Sequence, residues 1–390
     1  MVLPYQTRPT MRKYFQWKFL LDLRSPLRIF PAETYQLKSM NEVFEVNIYL
    51  TSFLGVLGLL GFLVLGAVFF WYGNPFGVRD NLLANYMVKL RVSPARLELP
   101  KNPSDYGMDF KNVDIVTEDQ VRLSAWEIPA AQPSNSTIIV NHPLTTTRYG
   151  SVEGLDGVSA EFLPMVKHLH DAGHNIIMYD HRGQGESDGG LGNTMLGDKE
   201  VPVGTGVTEW QDVSASLRYV LNHPELGDNE IIFLSQCMGA NATFLAWKND
   251  PQLFASPQIK AVVANQPTLS YNMTDRFIRA RIGLDLVDKV LQRQEEQYGF
   301  GFANALENVP SLTVPVLYAQ VEKDEYTFNL STQQNDLVEI MNATPTPHEV
   351  VWIGPDQETP FGTGKRFDGY QYFNNHPEKL LEFVKRHISS

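Results

Sequence analysis

The longest apolar run in the chain lies near its N-terminus. Between residues 46 and 78 no position is charged, and residues 48–71 are almost wholly apolar. At about 1.5 Å rise per residue, those two dozen positions make a helix about 36 Å long, enough to cross a hydrocarbon core of about 30 Å with some tilt. A helix inside a soluble core would keep a polar stripe, whereas this run is apolar all round. Phe69, Phe70, Trp71 and Tyr72 supply interfacial aromatics at one end, and Asn74 and Pro75 stop the helix. The run starts too far from Met1, is too long, and lacks the small-x-small cleavage site of a signal peptide. A retained transmembrane helix over 46–73 is therefore expected.

After a connector over 74–106, the pattern changes to strands and amphipathic helices. Residues 113–117 and 121–129 alternate as half-buried strands about a Glu118-Asp119 turn. A buried strand over 137–140, a helix over 160–172 and a strand over 174–179 follow. Next come a helix over 209–222, a strand over 231–234, a helix over 239–249 and a strand over 259–264. Strands over 314–320 and 349–353 precede a closing helix over 377–387. This βαβ rhythm predicts an α/β domain over 107–390, with a mostly parallel sheet and helices on both faces. An insertion over about 267–310, with Phe277, Ile278, Ile282, Leu286, Val290 and Leu291 at helical spacing, predicts a small helical cap.

Charge sharpens this division. Residues 1–45 form a basic, aromatic arm with seven Lys/Arg against four acids, leaving 25 bases against 40 acids in the rest. The acidic remainder gives no electrostatic attraction to phosphate, so nucleic acid is not expected as a partner. The basic excess before the span places the N-terminus inside and the large domain on the outer side. The arm, with Tyr14, Phe15, Trp17 and Phe19 among Lys13, Lys18 and Arg24, suits a membrane interface or a partner protein. Gly55, Gly58, Gly61 and Gly66 allow close approach of another membrane helix, although glycine is common in such helices in any case. Expected partners are thus the lipid bilayer and other membrane-protein subunits. With Cys237 as the sole cysteine, neither an intramolecular disulfide nor a cysteine zinc cage can form, and no metal or cofactor is expected.

Three stretches carry chemistry. Asp180-His181-Arg182-Gly183-Gln184-Gly185-Glu186-Ser187 follows an apolar strand. Ser235-Gln236-Cys237-Met238-Gly239 sits between a strand and a helix. Val321-Glu322-Lys323-Asp324-Glu325-Tyr326 follows another strand. Over residues 113–390 the chain resembles the α/β-hydrolase superfamily on these stretches. The first is similar to its D-x-R-G-x-G-x-S loop. The second occupies the place of its nucleophile elbow, with a cysteine as in the dienelactone hydrolases. The resemblance implies Cys237 as nucleophile and Asp324 as the acid that orients a histidine.

The expected base is harder to place. The superfamily carries it in the loop after the last strand, but residues 354–375 contain no histidine. His376, the first histidine after that loop, and His142, after the strand 137–140, are the candidates. In the superfamily the residue matching His142 supports the oxyanion loop. Pro143 lacks an N–H, leaving Met238 and Leu144 as candidate oxyanion donors. Neither histidine is expected to bridge Cys237 and Asp324; instead Lys365, Arg366 or an aromatic side chain should fill the position. Two functions remain open: a catalytically degenerate accessory or structural subunit of a membrane complex, and an active hydrolase of an ester, thioester or lactone through Cys237.

Overall fold

The computed structural model describes residues 40–151, 160–354 and 366–389. The arm over 1–39, Lys365 and the first part of the loop after the last strand lie outside the described residues. The chain divides into two units, Met1–Phe69 and Phe70–Ser390. In the first, α1 (Met40–Val68) is continuous, and its side chains from Tyr49 onward are exposed. With the turn that follows, Tyr49–Gly73 is the one helix among the described residues long and apolar enough to cross a membrane.

The second unit is an α/β-hydrolase fold built on an eight-stranded sheet. Its strands are β1 (Lys111–Val116), β2 (Arg122–Ile128), β3 (Ser136–Asn141), β4 (Asn175–Tyr179), β5 (Glu230–Gln236), β6 (Ile259–Asn265), β7 (Val316–Val321) and β8 (His348–Ile353), in spatial order β1-β2-β4-β3-β5-β6-β7-β8. β1 pairs antiparallel with β2, and β2 antiparallel with β4; the other pairings are parallel. The central strands read as near-continuous apolar runs because both faces are covered. Alternate residues build two cores. Ile139, Ile177, Phe233, Val262 and Tyr318 share one cluster with α4 (Trp210–Leu221) and α5 (Met238–Asn249). Ile138, Ile176, Leu234, Val263 and Leu317 share the other with α3 (Leu163–Asp171) and two C-terminal helices.

Two expectations change. The stretch read as a connector contains a 15-residue helix, α2 (Val78–Val92), whose Ala84, Met87, Val88 and Val92 pack on the cap. The cap itself consists of α6 (Ser270–Ile282) and α7 (Val287–Tyr298), which supply Ile278, Val287 and Val290 to that third core. After α8 (Leu337–Ala343) and β8, the stretch read as a loop ends in a helix, α9 (Arg366–Asn375), before the closing α10 (Glu378–His387). Seven of the ten α9 residues are buried, so it presents no polar stripe that periodicity could detect.

Candidate active site

The C-terminal edge of the sheet gathers the three motifs. β5 runs into α5 through Cys237, whose φ of 49° and ψ of −109° put a side-chain-bearing residue in a strained turn. The turn closes against β3 only because Gly239 has no side chain: a Cβ there would lie 2.7 Å from the Asn141 carbonyl oxygen. The Cys237 amide donates to the Asn265 carbonyl and its carbonyl accepts from the Asn241 amide, which fixes the turn between β6 and α5. Cys237 is only 6% exposed.

Asp324 stands just past the end of β7 and is fully buried. One of its oxygens accepts the Tyr326 amide at 2.9 Å; the other accepts Nη1 of Arg366 at 2.6 Å. Arg366, the first residue of α9 and one of the occupants expected from the sequence, therefore stands where the superfamily pattern carries a histidine. Its Nη2 donates to Cys237 Sγ at 3.1 Å and to the Gln266 carbonyl at 2.8 Å, and its Nε donates to the Tyr370 hydroxyl at 2.8 Å. One guanidinium thus bridges the nucleophile position and the acid position.

The electrostatics follow from that bridge. Burial works against the Arg366 charge, but Tyr370, Cys237 and Asp324 outweigh it and hold its pKa well above the ordinary value. Burial chiefly keeps Tyr370 a neutral phenol, against the opposing pull of Arg366, and its hydroxyl is also paired with Cys237. Neither group can take a proton near neutrality: a guanidinium has no lone pair to offer, and an un-ionised phenol is a donor first.

Neither candidate histidine joins this cluster. His142 is buried, with Nδ1 directed to the Pro143 carbonyl at 2.7 Å and to Thr146 Oγ1 at 3.1 Å, while Nε2 accepts the His181 amide at 2.9 Å. Both ring nitrogens are therefore committed. Burial first, and the nearby His181 second, push its pKa well below 6.5, so it stays neutral. His376 follows the far end of α9; ten residues beyond Arg366 places it about 15 Å along the helix axis. Its ring stacks on Tyr372 with centroids 4.9 Å apart, at the end of α9 that meets α3 through His168 and Asn374.

The D-x-R-G loop acts behind the site. Its Gln184 side chain accepts the Thr145 amide at 2.9 Å, and its His181 amide orients His142, so the loop carrying Leu144 is braced from β4. Among the described residues, no hydrogen bond uses the Leu144 or Met238 amide. Open depressions of about 890 and 400 Å³ lie elsewhere, beside His174 and Lys385 and beside Asp114 and His223; neither is lined by Cys237, Asp324 or Arg366. No group of His, Cys, Asp and Glu suited to a metal occurs among the described residues.

Sequence reasoning named Cys237, Asp324, Met238 and Leu144, and Lys365, Arg366 or an aromatic side chain as occupants of the base position; the structure joins Cys237, Asp324 and Arg366 by hydrogen bonds. It did not name Tyr370 or Gln266, and it quoted Gln184 only within the D-x-R-G-x-G-x-S stretch. Tyr370 had a faint signal: it lies one helical turn after Arg366, the spacing at which two side chains share a helix face.

A family model described as alpha/beta hydrolase fold matches residues 151–282. An uncharacterised protein of Salmonella typhimurium, YfhR, is 24% identical over 171 residues, which cover 42% of this chain and 51% of that protein. The match therefore spans about half the length of that relative. Among solved structures, an esterase of Pyrococcus furiosus is 21% identical with a TM-score of 0.53, covering 77% of this chain and 99% of its own. A hypothetical protein of Pseudomonas aeruginosa is 12% identical with a TM-score of 0.51, covering 75% of this chain and all of its own. At these identities the likeness is one of fold, and the fold does not carry the activity with it.

Proposed function

We propose that the chain is a membrane-anchored hydrolase-fold protein in which acyl transfer has been silenced at the base, and that it serves as an accessory or structural subunit of a membrane complex. The observation that carries this reading is Arg366, bonded to both Cys237 Sγ and Asp324 where a histidine would shuttle the proton. General-base assistance typically contributes on the order of 10² to 10⁴ in rate, and a guanidinium cannot supply it. The anchor supports a role within the bilayer: Gly55, Gly58, Gly61 and Gly66 are small residues of the kind that let another membrane helix approach closely. On this reading the N-terminus is inside and the hydrolase domain is on the outer side.

The retained elbow favours a second reading. A strained Cys237 followed by the Met238 amide, which makes no hydrogen bond among the described residues, is the arrangement that presents a thiol to an ester, thioester or lactone carbonyl and receives its oxyanion. The deciding experiment uses the full chain in lipid vesicles with activated esters and thioesters, and a fluorophosphonate probe. No turnover above the Cys237→Ala variant, together with new Cys237-dependent turnover in Arg366→His, would support the silenced reading. Cys237-dependent turnover in the unaltered chain would refute it.

A further inference from the structure

We infer that the outer face of α2 lies in the headgroup region of the bilayer, giving the chain a second, non-spanning membrane contact; this rests on the reading of 46–73 as membrane-inserted. α2 is apolar on two opposite sides. Ala84, Met87, Val88 and Val92 are spent on the cap. On the other side Val78, Leu82, Tyr86 and Leu90, spaced every four residues, are 39%, 58%, 58% and 44% exposed. Residues at that spacing are neighbours on a helix surface, so the four form one continuous stripe. Such a contiguous apolar patch needs a cover.

Lipid is the cover the surroundings specify. The apolar span ends at Gly73 and α2 begins at Val78, so the four residues between them hold the start of α2 within about 18 Å of the end of the span. Each copy therefore delivers its own α2 to the interface, without an encounter with a partner. Phe76, between the two, is 99% exposed and has a φ of 57°. A phenylalanine in the left-handed region, wholly in water, bears two costs at once, and inserting the ring among headgroups offsets the second. Trp71 and Tyr72 are exposed beside it, as in an interfacial aromatic belt. The remaining exposed positions of α2 are Asn85 and Lys89, with no exposed acid, unlike the acidic domain as a whole. A face of aliphatic and aromatic residues with a lysine at its margin suits an interfacial helix.

The test labels single cysteines with a nitroxide in the full chain carrying Cys237→Ser, reconstituted in phosphatidylcholine vesicles containing phosphatidylglycerol. Labels at Leu82→Cys and Tyr86→Cys are compared with one at Glu382→Cys, an exposed site on α10. Flotation of the vesicles first checks the anchor; failure to float refutes the anchoring premise and not the α2 face alone. With flotation intact, the expected result is a ratio of oxygen to nickel-chelate collisions several-fold higher at 82 and 86 than at 382. Equal ratios would place the face in water and overturn the inference. Labels shielded from both reagents would also overturn it, by showing that protein covers the face.

Discussion

Replacing Arg366 with methionine should be among the most damaging single changes in the domain, and the loss should be recoverable by a second change. Arg366 and Asp324 are both buried, and their ion pair is 2.6 Å long. Methionine keeps much of the side-chain volume but removes the four donated hydrogen bonds to Asp324, Cys237, Gln266 and Tyr370. It also leaves the Asp324 carboxylate in the interior with, among the described residues, only the Tyr326 amide donating to its side chain. Breaking a buried pair from one side costs about 3–5 kcal/mol, a large part of the roughly 5–15 kcal/mol that holds a domain folded. Converting Asp324 to leucine in the same chain removes the stranded charge, and replacing both partners by apolar groups is often close to neutral. The double variant should therefore recover most of the loss. Urea unfolding of the full chain in detergent, followed by tryptophan fluorescence, completes the double-mutant cycle. Losses that simply add, or a loss under about 1 kcal/mol for Arg366→Met alone, would refute the claim that the bridge is a buried, coupled unit.

Stability should also fall on mild acidification through His142. Burial and His181 depress its folded pKa well below 6.5, so the unfolded chain binds a proton there that the folded chain refuses. The contribution is present above pH 6.5 and is lost as the pH falls toward the folded value, at up to about 1.4 kcal/mol per pH unit; His142→Gln should flatten that part of the melting temperature profile, and an unchanged slope would contradict it. Gly239→Ala should destabilise the elbow by about 1–3 kcal/mol, since its Cβ would meet the Asn141 carbonyl at 2.7 Å, and an unaltered denaturation midpoint would show that the turn can give way. Protease added outside sealed cells should remove the domain beyond Gly77; protection would reverse the proposed orientation.

The elements legible in the sequence were those whose signal is local. The span announced itself through length and lack of charge, and the central strands through apolar runs bounded by turns. Cys237 and Asp324 were legible through the resemblance of the stretches that carry them, each lying at or just past the end of a strand. Reading the residues singly could also show that 354–375 held no histidine. What took its place was decided by tertiary structure. Arg366 reaches a sulfur 129 positions earlier in the chain and a carboxylate 42 positions earlier, and nothing in its immediate neighbours points there. The helix that carries it is buried on nearly every side, so the polar-apolar alternation from which helices are read was missing. α2 escaped notice for a related reason: one apolar face meets the cap and the other is exposed, leaving no single stripe. His142 was visible as a residue, but only the fold brought the His181 amide onto its Nε2 and so committed both ring nitrogens. Periodicity records whether a side chain is covered; which group covers it depends on distant parts of the chain, and that information exists only once the chain has folded.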